Sequence, residues 1–247
     1  MLSNPKKAIR MVAEQTLANY CKPNSYLIKE TYPLPPYSTI IGMIHAVCGF
    51  KTYHPMQVSV QGSFSSTVSD LYQRYAFGNM KFDPTRHQLK VPSGDREVGV
   101  TKGVGYAEEV TEMELVIHLV PENEEDFDLI MDGLRHPKVF PALGRHDDLL
   151  NITSFEVVDV ALSQKRCALK RYAYVPVAQL EEMASANVQN VHLRGTTYKI
   201  RKRYTINPKT KCRDWVETIR VKHVASNPNI RYKNALVDSC GDLLFLA

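Results

Sequence analysis

The chain has 247 residues, 44% of them apolar and 23% charged, enough for one large or two small packed domains and too apolar for a disordered chain. Its longest apolar run, residues 40–50, is too short to cross a bilayer and holds His45, and the first ten residues show no leader pattern, so the expected location is cytoplasmic with no membrane partner. Charge is uneven: 15 Lys and Arg against 20 Asp and Glu leave −5 up to residue 160, whereas 16 against 6 leave +10 beyond it, which favours a polyanionic partner for the C-terminal third.

Residues 8–14 (AIRMVAE) read as a first strand, and a second extended stretch is expected over 26–32. Pro33, Pro35 and Pro36 exclude a helix there, because proline lacks the N–H and forces its predecessor to be extended. Pro36 then suits the first turn of a helix capped near Ser38 or Thr39. That helix carries Ile40, Ile41, Met43, Ile44 and Val47, is apolar almost all round, and ends near Gly49. Residues 58–68 alternate as a strand, but from 70 to 109 no period survives. Aromatic, basic and glycine residues mingle there, which predicts a long, partly flexible hairpin protruding from the domain. A strand over 112–120, a helix from Asn123 with acidic first turn and a Phe127, Ile130, Met131, Leu134 stripe, and a strand over 154–161 follow.

The order strand, helix, strand, protrusion, strand, helix, strand is that of a β-α-β-β-α-β unit, so the expected fold class is α+β, ferredoxin-like. It would occupy residues 1–162 with an insertion over about 70–109. Residues 163–247 read as a small basic β-rich domain, with strands over 198–206 and 214–224 and a closing hairpin at Cys240, Gly241 and Asp242.

The five cysteines are scattered without a C-x-x-C pair, the eight histidines form no ligand pair, and the Gly99–Gly105 run matches no phosphate loop. Asp147 and Asp148 are adjacent, and neighbouring carboxylates diverge, which argues against a magnesium site. Neither a metal nor a cofactor is therefore expected. RNA grip fits better: Tyr20, Lys22, Tyr32, Tyr37, Ser38 and Thr39 mix aromatic faces with donors, and the start of the first helix offers free N–H groups. Gly42 allows either close approach of RNA or packing on the sheet. Arg201, Lys202 and Arg203 are further candidates for contact with nucleic acid. His45 or His146, with a Tyr and a Lys, could supply a metal-free acid and base for RNA cleavage.

Four segments, ANYCKP (18–23), ETYPLPPYSTIIGMIHAVCGF (30–50), LVPENEEDFDLIMDGLRHPK (119–138) and ALGRHDDLL (142–150), resemble the Cas-five family of CRISPR-associated proteins, most of all its type I-B branch. The resemblance implies the repeat-associated mysterious protein (RAMP) fold: an RRM-like domain, a hairpin thumb at 70–109 and a β-rich C-terminal part. It implies a non-catalytic Cascade subunit that caps the 5′ handle of the guide RNA in antiviral defence against foreign DNA. The large subunit and the first backbone subunit would be neighbours, and target DNA would be contacted only indirectly. Carried over by position, the RNA contacts are Tyr20, Lys22, Tyr37, Ser38, Thr39 and Gly42, with Lys81 and Arg86 in the thumb and Arg145 and His146 in the L-G-R loop. The alternative is a metal-independent endoribonuclease that processes precursor CRISPR RNA, as in the type I-C branch.

Overall fold

In the first strand of the computed structural model, every second residue is fully buried: Ile9, Met11 and Ala13 share one face, as the two-residue period of a strand requires. The residues described are 6–25, 27–180, 195–226, 231–232 and 234–247. The chain runs β1 (Lys6–Ala18), β2 (Ile28–Lys29), α1 (Tyr37–Cys48), β3 (Met56–Ser63), β4 (Ser66–Lys81), β5 (Leu89–Ser93), β6 (Arg96–Pro121), α2 (Glu125–Arg135) and β7 (Asn151–Ser163). Then come β8 (Cys167–Ala168), β9 (Tyr172–Pro176), β10 (Gly195–Ile206), β11 (Arg213–Val224), β12 (Arg231–Tyr232), β13 (Ala235–Asp238) and β14 (Leu243–Leu244).

Register turns the buried alternation into rows. Val58 of β3 faces Leu119 of β6, which faces Ile9 of β1; Val60, Ile117 and Met11 form the next row. The helices lay Ile40, Ile44 and Val47 of α1 and Ile130 and Leu134 of α2 into the same cluster. Each fully buried aliphatic side chain there contributes about 1.5–3 kcal/mol. The opposite face carries the intervening residues. His118 Nε2 hydrogen-bonds Asp238 Oδ2 at 2.9 Å, and Arg10 Nη2 donates to Asp242 Oδ2 at 2.8 Å, so the turn between β13 and β14 is pinned beneath the sheet.

The order β7-β1-β6-β3 is antiparallel throughout. The sequence expectation of strand, helix, strand, insertion, strand, helix, strand is therefore met. The C-terminal strands do not build a separate large sheet. β9, β11 and β10 continue the row beyond β3, while β13 and β14 extend it beyond β7, giving one twelve-stranded sheet among the described residues. They do have a core of their own, in which Leu169, Val175, Tyr232, Leu243 and Phe245 pack together.

Two local expectations change. The extended stretch expected at 26–32 reduces to the short β2, paired parallel to β6, with Tyr26 outside the described residues. The strand expected over 58–68 is two strands parted at 64–65. There β6 exchanges β3 for β4 as its partner, and Glu112 takes a left-handed φ of 49°. The protruding hairpin expected over about 70–109 is present: β4 pairs with β6 from Ser66–Thr111 to Lys81–Val98, with a register shift between Phe77 and Met80, and β5 adds a third strand at the tip. No amphipathic period marked β4 because both of its faces meet solvent along nearly its whole length, whereas Val98, Val100 and Ala107 of β6 are buried.

Candidate nucleic-acid interface

Helix α1 begins where proline dictates. Pro36 is the N-cap, extended at φ −61° and ψ 150°, and its carbonyl accepts from Thr39 N (2.9 Å) and Ile40 N (3.2 Å). No side chain caps the helix, so Ser38 and Thr39 are not caps as the sequence suggested. Gly49 closes it at φ 72°, a conformation that costs glycine little. The helix is not buried all round. Ser38, Gly42 and Ala46, four residues apart, form a stripe open to solvent, and a Cβ on Gly42 would meet nothing within 4 Å.

This stripe is one side of a cleft of about 610 Å³, a size typical of sites for small ligands. The second side is the loop 142–146 with Cys21 and Pro23, and the third is the β10–β11 hairpin, through Arg201, Tyr204, Arg213 and Trp215. Tyr32 also lines it, edge-on to Tyr198 at 5.4 Å.

The loop is held by a buried polar clasp. The Asp148 carboxylate accepts from Asn19 N (2.9 Å), Arg145 N (2.8 Å), Arg145 Nε (3.0 Å) and Arg145 Nη2 (2.8 Å). Arg145 Nη2 also donates to Glu109 Oε1. Gln15 Nε2 donates to the Leu143 and Asp148 carbonyls at 2.9 and 3.0 Å, while Tyr20 Oη donates to Gln15 Oε1 at 2.6 Å. Gly144 sits at φ 121°, and a Cβ there would lie 2.5 Å from Asp148 Oδ2 and 2.9 Å from the Asn19 carbonyl. Burial lifts the Glu109 carboxyl above its ordinary range despite Arg145 beside it.

The hairpin wall is built differently. Trp215 and Arg213, two apart on β11, share a face, and Tyr204 is directly opposite Trp215 on β10. The Tyr204 and Trp215 rings meet edge to face at 5.4 Å. Arg201 would point to the other face, three residues from Tyr204. Two register shifts between Arg201 and Tyr204 turn it back. Its guanidinium lies 4.6 Å over Trp215, and that of Arg213 lies 4.6 Å over Tyr204. Neither arginine has a carboxylate within ion-pair distance among the described residues.

Of the residues expected to contact RNA, the cleft gathers Ser38, Thr39, Gly42, Arg145, His146 and Arg201. Tyr20 and Tyr37 are corrected to core positions, 1% and 0% exposed, and burial raises both hydroxyl pKa values. Lys22 pairs with Glu30 at 3.1 Å beside the cleft. Lys202 pairs with Glu217 at 3.4 Å, and Arg203 lies 4.7 Å over Tyr53; neither lines the cleft. Lys81 and Arg86 sit at the hairpin tip, Lys81 beside a second hollow of about 580 Å³. His45 packs behind α1: its Nδ1 hydrogen-bonds the Ile41 carbonyl at 2.8 Å, and its Nε2 accepts from His54 N at 3.0 Å. Burial holds its pKa below the usual value. His146 is 98% exposed in the side chain. Tyr204, Arg213 and Trp215 were missed as site residues, although their alternation across a predicted hairpin was readable.

Among the described residues no group of three or more His, Cys, Asp or Glu is placed to hold a metal, and no helix is long and apolar enough to cross a membrane. All five cysteines are free.

The family model described as "CRISPR-associated protein (Cas_Cas5)" matches residues 13–207. No curated protein sequence matches significantly. Among solved structures, a chain titled "CRISPR RNA-guided surveillance complex" is similar in fold, with a TM-score of 0.57 at 13% identity over 91% of both chains. A CRISPR protein from Archaeoglobus fulgidus aligns with a TM-score of 0.44 at 10% identity over 98% of both chains.

Proposed function

The chain belongs to this CRISPR-associated family, and from that premise we propose that it is a non-catalytic, RNA-binding subunit of a type I-B-like Cascade, acting in the cytoplasm of a prokaryote. Its cleft takes the 5′ handle of the guide RNA. The observation that carries this reading is the pair Arg201 and Arg213, cations without a carboxylate at ion-pair distance among the described residues, facing the bare stripe of α1. Fixed cations without internal partners are available to phosphate, and Ser38 and Thr39 add hydroxyl donors at the helix start.

In this reading the β-α-β-β-α-β half is a ferredoxin-like RAMP domain, and the β4–β6 hairpin is its thumb. Between residues 70 and 109 six basic residues meet six acidic ones, a net charge of zero, so the thumb positions RNA more than it attracts it. One face of it exposes Leu71, Tyr75, Phe77, Val104 and Tyr106, an apolar surface suited to the large subunit or a backbone subunit. Binding is favoured over cutting at His45 because both of its ring nitrogens are occupied.

The test is to mix the full chain with labelled CRISPR-repeat RNA in EDTA, across a range of salt. Binding that weakens steeply with salt, with the RNA intact, is expected. A single specific cut, lost in His146→Ala, would replace the non-catalytic reading with the endoribonuclease one. Salt-independent or absent binding would remove the RNA reading altogether.

A further inference from the structure

The β10–β11 wall is more specialised than a basic surface. Its side chains alternate in space as Arg201, Trp215, Tyr204, Arg213, each cation over a ring and the two rings edge to face. A guanidinium held by a π-face has its in-plane N–H donors directed outward, and both a ring and a guanidinium can stack on a nucleobase. The bulge between Arg201 and Tyr204 aligns the ladder toward the cleft. Without it Arg201 would leave the wall. Opposite stand Gly42, without a side chain, and Ala46, with one methyl, so a flat group can enter between helix and hairpin.

We infer that this ladder is a preformed stacking platform for unpaired RNA bases, so that the basic C-terminal hairpin and helix α1 grip the same single strand from two sides. The inference rests on the RNA-binding reading and narrows it. The hairpin's ligand is the strand that α1 holds, rather than target DNA or a protein neighbour. Recognition at this wall tolerates sequence, because every base has a π-face, but requires that bases be unstacked. A duplex presents phosphates without free base faces and engages the arginines alone.

The chain has a single tryptophan, so the emission of Trp215 reports on the ladder directly. The full-length protein is titrated with fluorescein-labelled oligoadenylate, with anisotropy and tryptophan emission read on matched samples. Both signals should change with a common midpoint, the emission being quenched, and a duplex RNA should bind without that quenching. Arg213→Gln, at an exposed position, should keep the fold and weaken binding of the single strand. Trp215→Ala should lower its affinity about tenfold, the loss of one base–aromatic stack, while Trp215→Phe should retain most of it.

If anisotropy rises while Trp215 emission stays constant, the platform is overturned and RNA binding stands. Equal quenching by the duplex, or full affinity in both Arg213→Gln and Trp215→Ala, also overturns it. If anisotropy does not change, the platform and the RNA-binding reading fall together.

Discussion

Two walls of one cleft carry arginine, and they use it in opposite ways. On the loop wall, Arg145 is clamped by Asp148 and Glu109, and its partners are 2–4% exposed in their side chains. On the hairpin wall, Arg201 and Arg213 are held by aromatic rings that do not neutralise them. Lining a cleft is therefore a poor guide to what a cation does there. A guanidinium surrounded by carboxylates is a structural pin, whereas one backed by a π-face keeps its charge for a ligand.

The largest expected effect tests the pin. Asp148→Ala leaves Arg145 and the Asn19 N–H without their acceptor, which should cost about 3–5 kcal/mol. Thermal and urea unfolding would read it. A loss below about 1 kcal/mol would mean that the clasp is not what orders the loop.

The two arginines of the hairpin wall rest on rings rather than on carboxylates, and pH should separate the two walls. At the inner end of β11, His223 is stacked on Tyr172 at 5.2 Å and its Nε2 has no hydrogen-bond partner among the described residues. Burial pushes its pKa down from 6.5 to about 4. The unfolded chain thus takes up the proton first, and stability contributed by neutral His223 is lost as pH falls from about 6.5 to about 4. That loss is roughly 2 kcal/mol after discounting for partial exposure. His223→Phe keeps the stack and should flatten the stability profile in that window. An unchanged profile would place the acid sensitivity elsewhere.

Next in size is the contrast in binding. Changing Arg201 and Arg213 together to Gln should reduce RNA affinity by tenfold or more and flatten the salt slope by roughly 1.4, two phosphates at about 0.7 each for a single strand. Arg145→Gln should instead lower the melting temperature and leave the salt slope nearly unchanged. The reverse pattern, read by anisotropy at several salt concentrations, would break the comparison between the walls. Smallest in energy is Gly42→Leu. It fills open space and replaces a mid-helix glycine, so stability should rise by about 0.5–1 kcal/mol while RNA binding falls. If binding survives, the bare stripe of α1 is not part of the interface.

Elements with punctuation were legible in the sequence. Pro36 and Gly49 bracket α1, and the acidic first turn and apolar stripe of α2 located it to within two residues. The L-G-R loop was recognisable as a motif, but its clasp was not, because sequence cannot show that Asp148 turns back on Arg145. Tyr20 and Tyr37 look like stacking residues on paper, since an aromatic ring carries no mark of which way it faces. Trp215 and Tyr204 were overlooked for a related reason. The bulge after Arg201 breaks the two-residue period that would have grouped all four ladder residues. The hairpin at 66–111 lost its signal because β4 is exposed along nearly its whole length and has no buried face to impose a period.

The longest strand also has a mechanical meaning. β6 runs unbroken for 26 residues from the hairpin tip to the core, where Leu115, Ile117 and Leu119 fix it between β1 and β3. Its outer half is paired mainly with β4, and the change of partner falls at Glu112, where the backbone turns left-handed. The hairpin is thus a lever whose fulcrum lies three residues from Glu109, one of the carboxylates that hold Arg145. The hairpin tip and the clasp around Arg145 are thus joined by one continuous backbone.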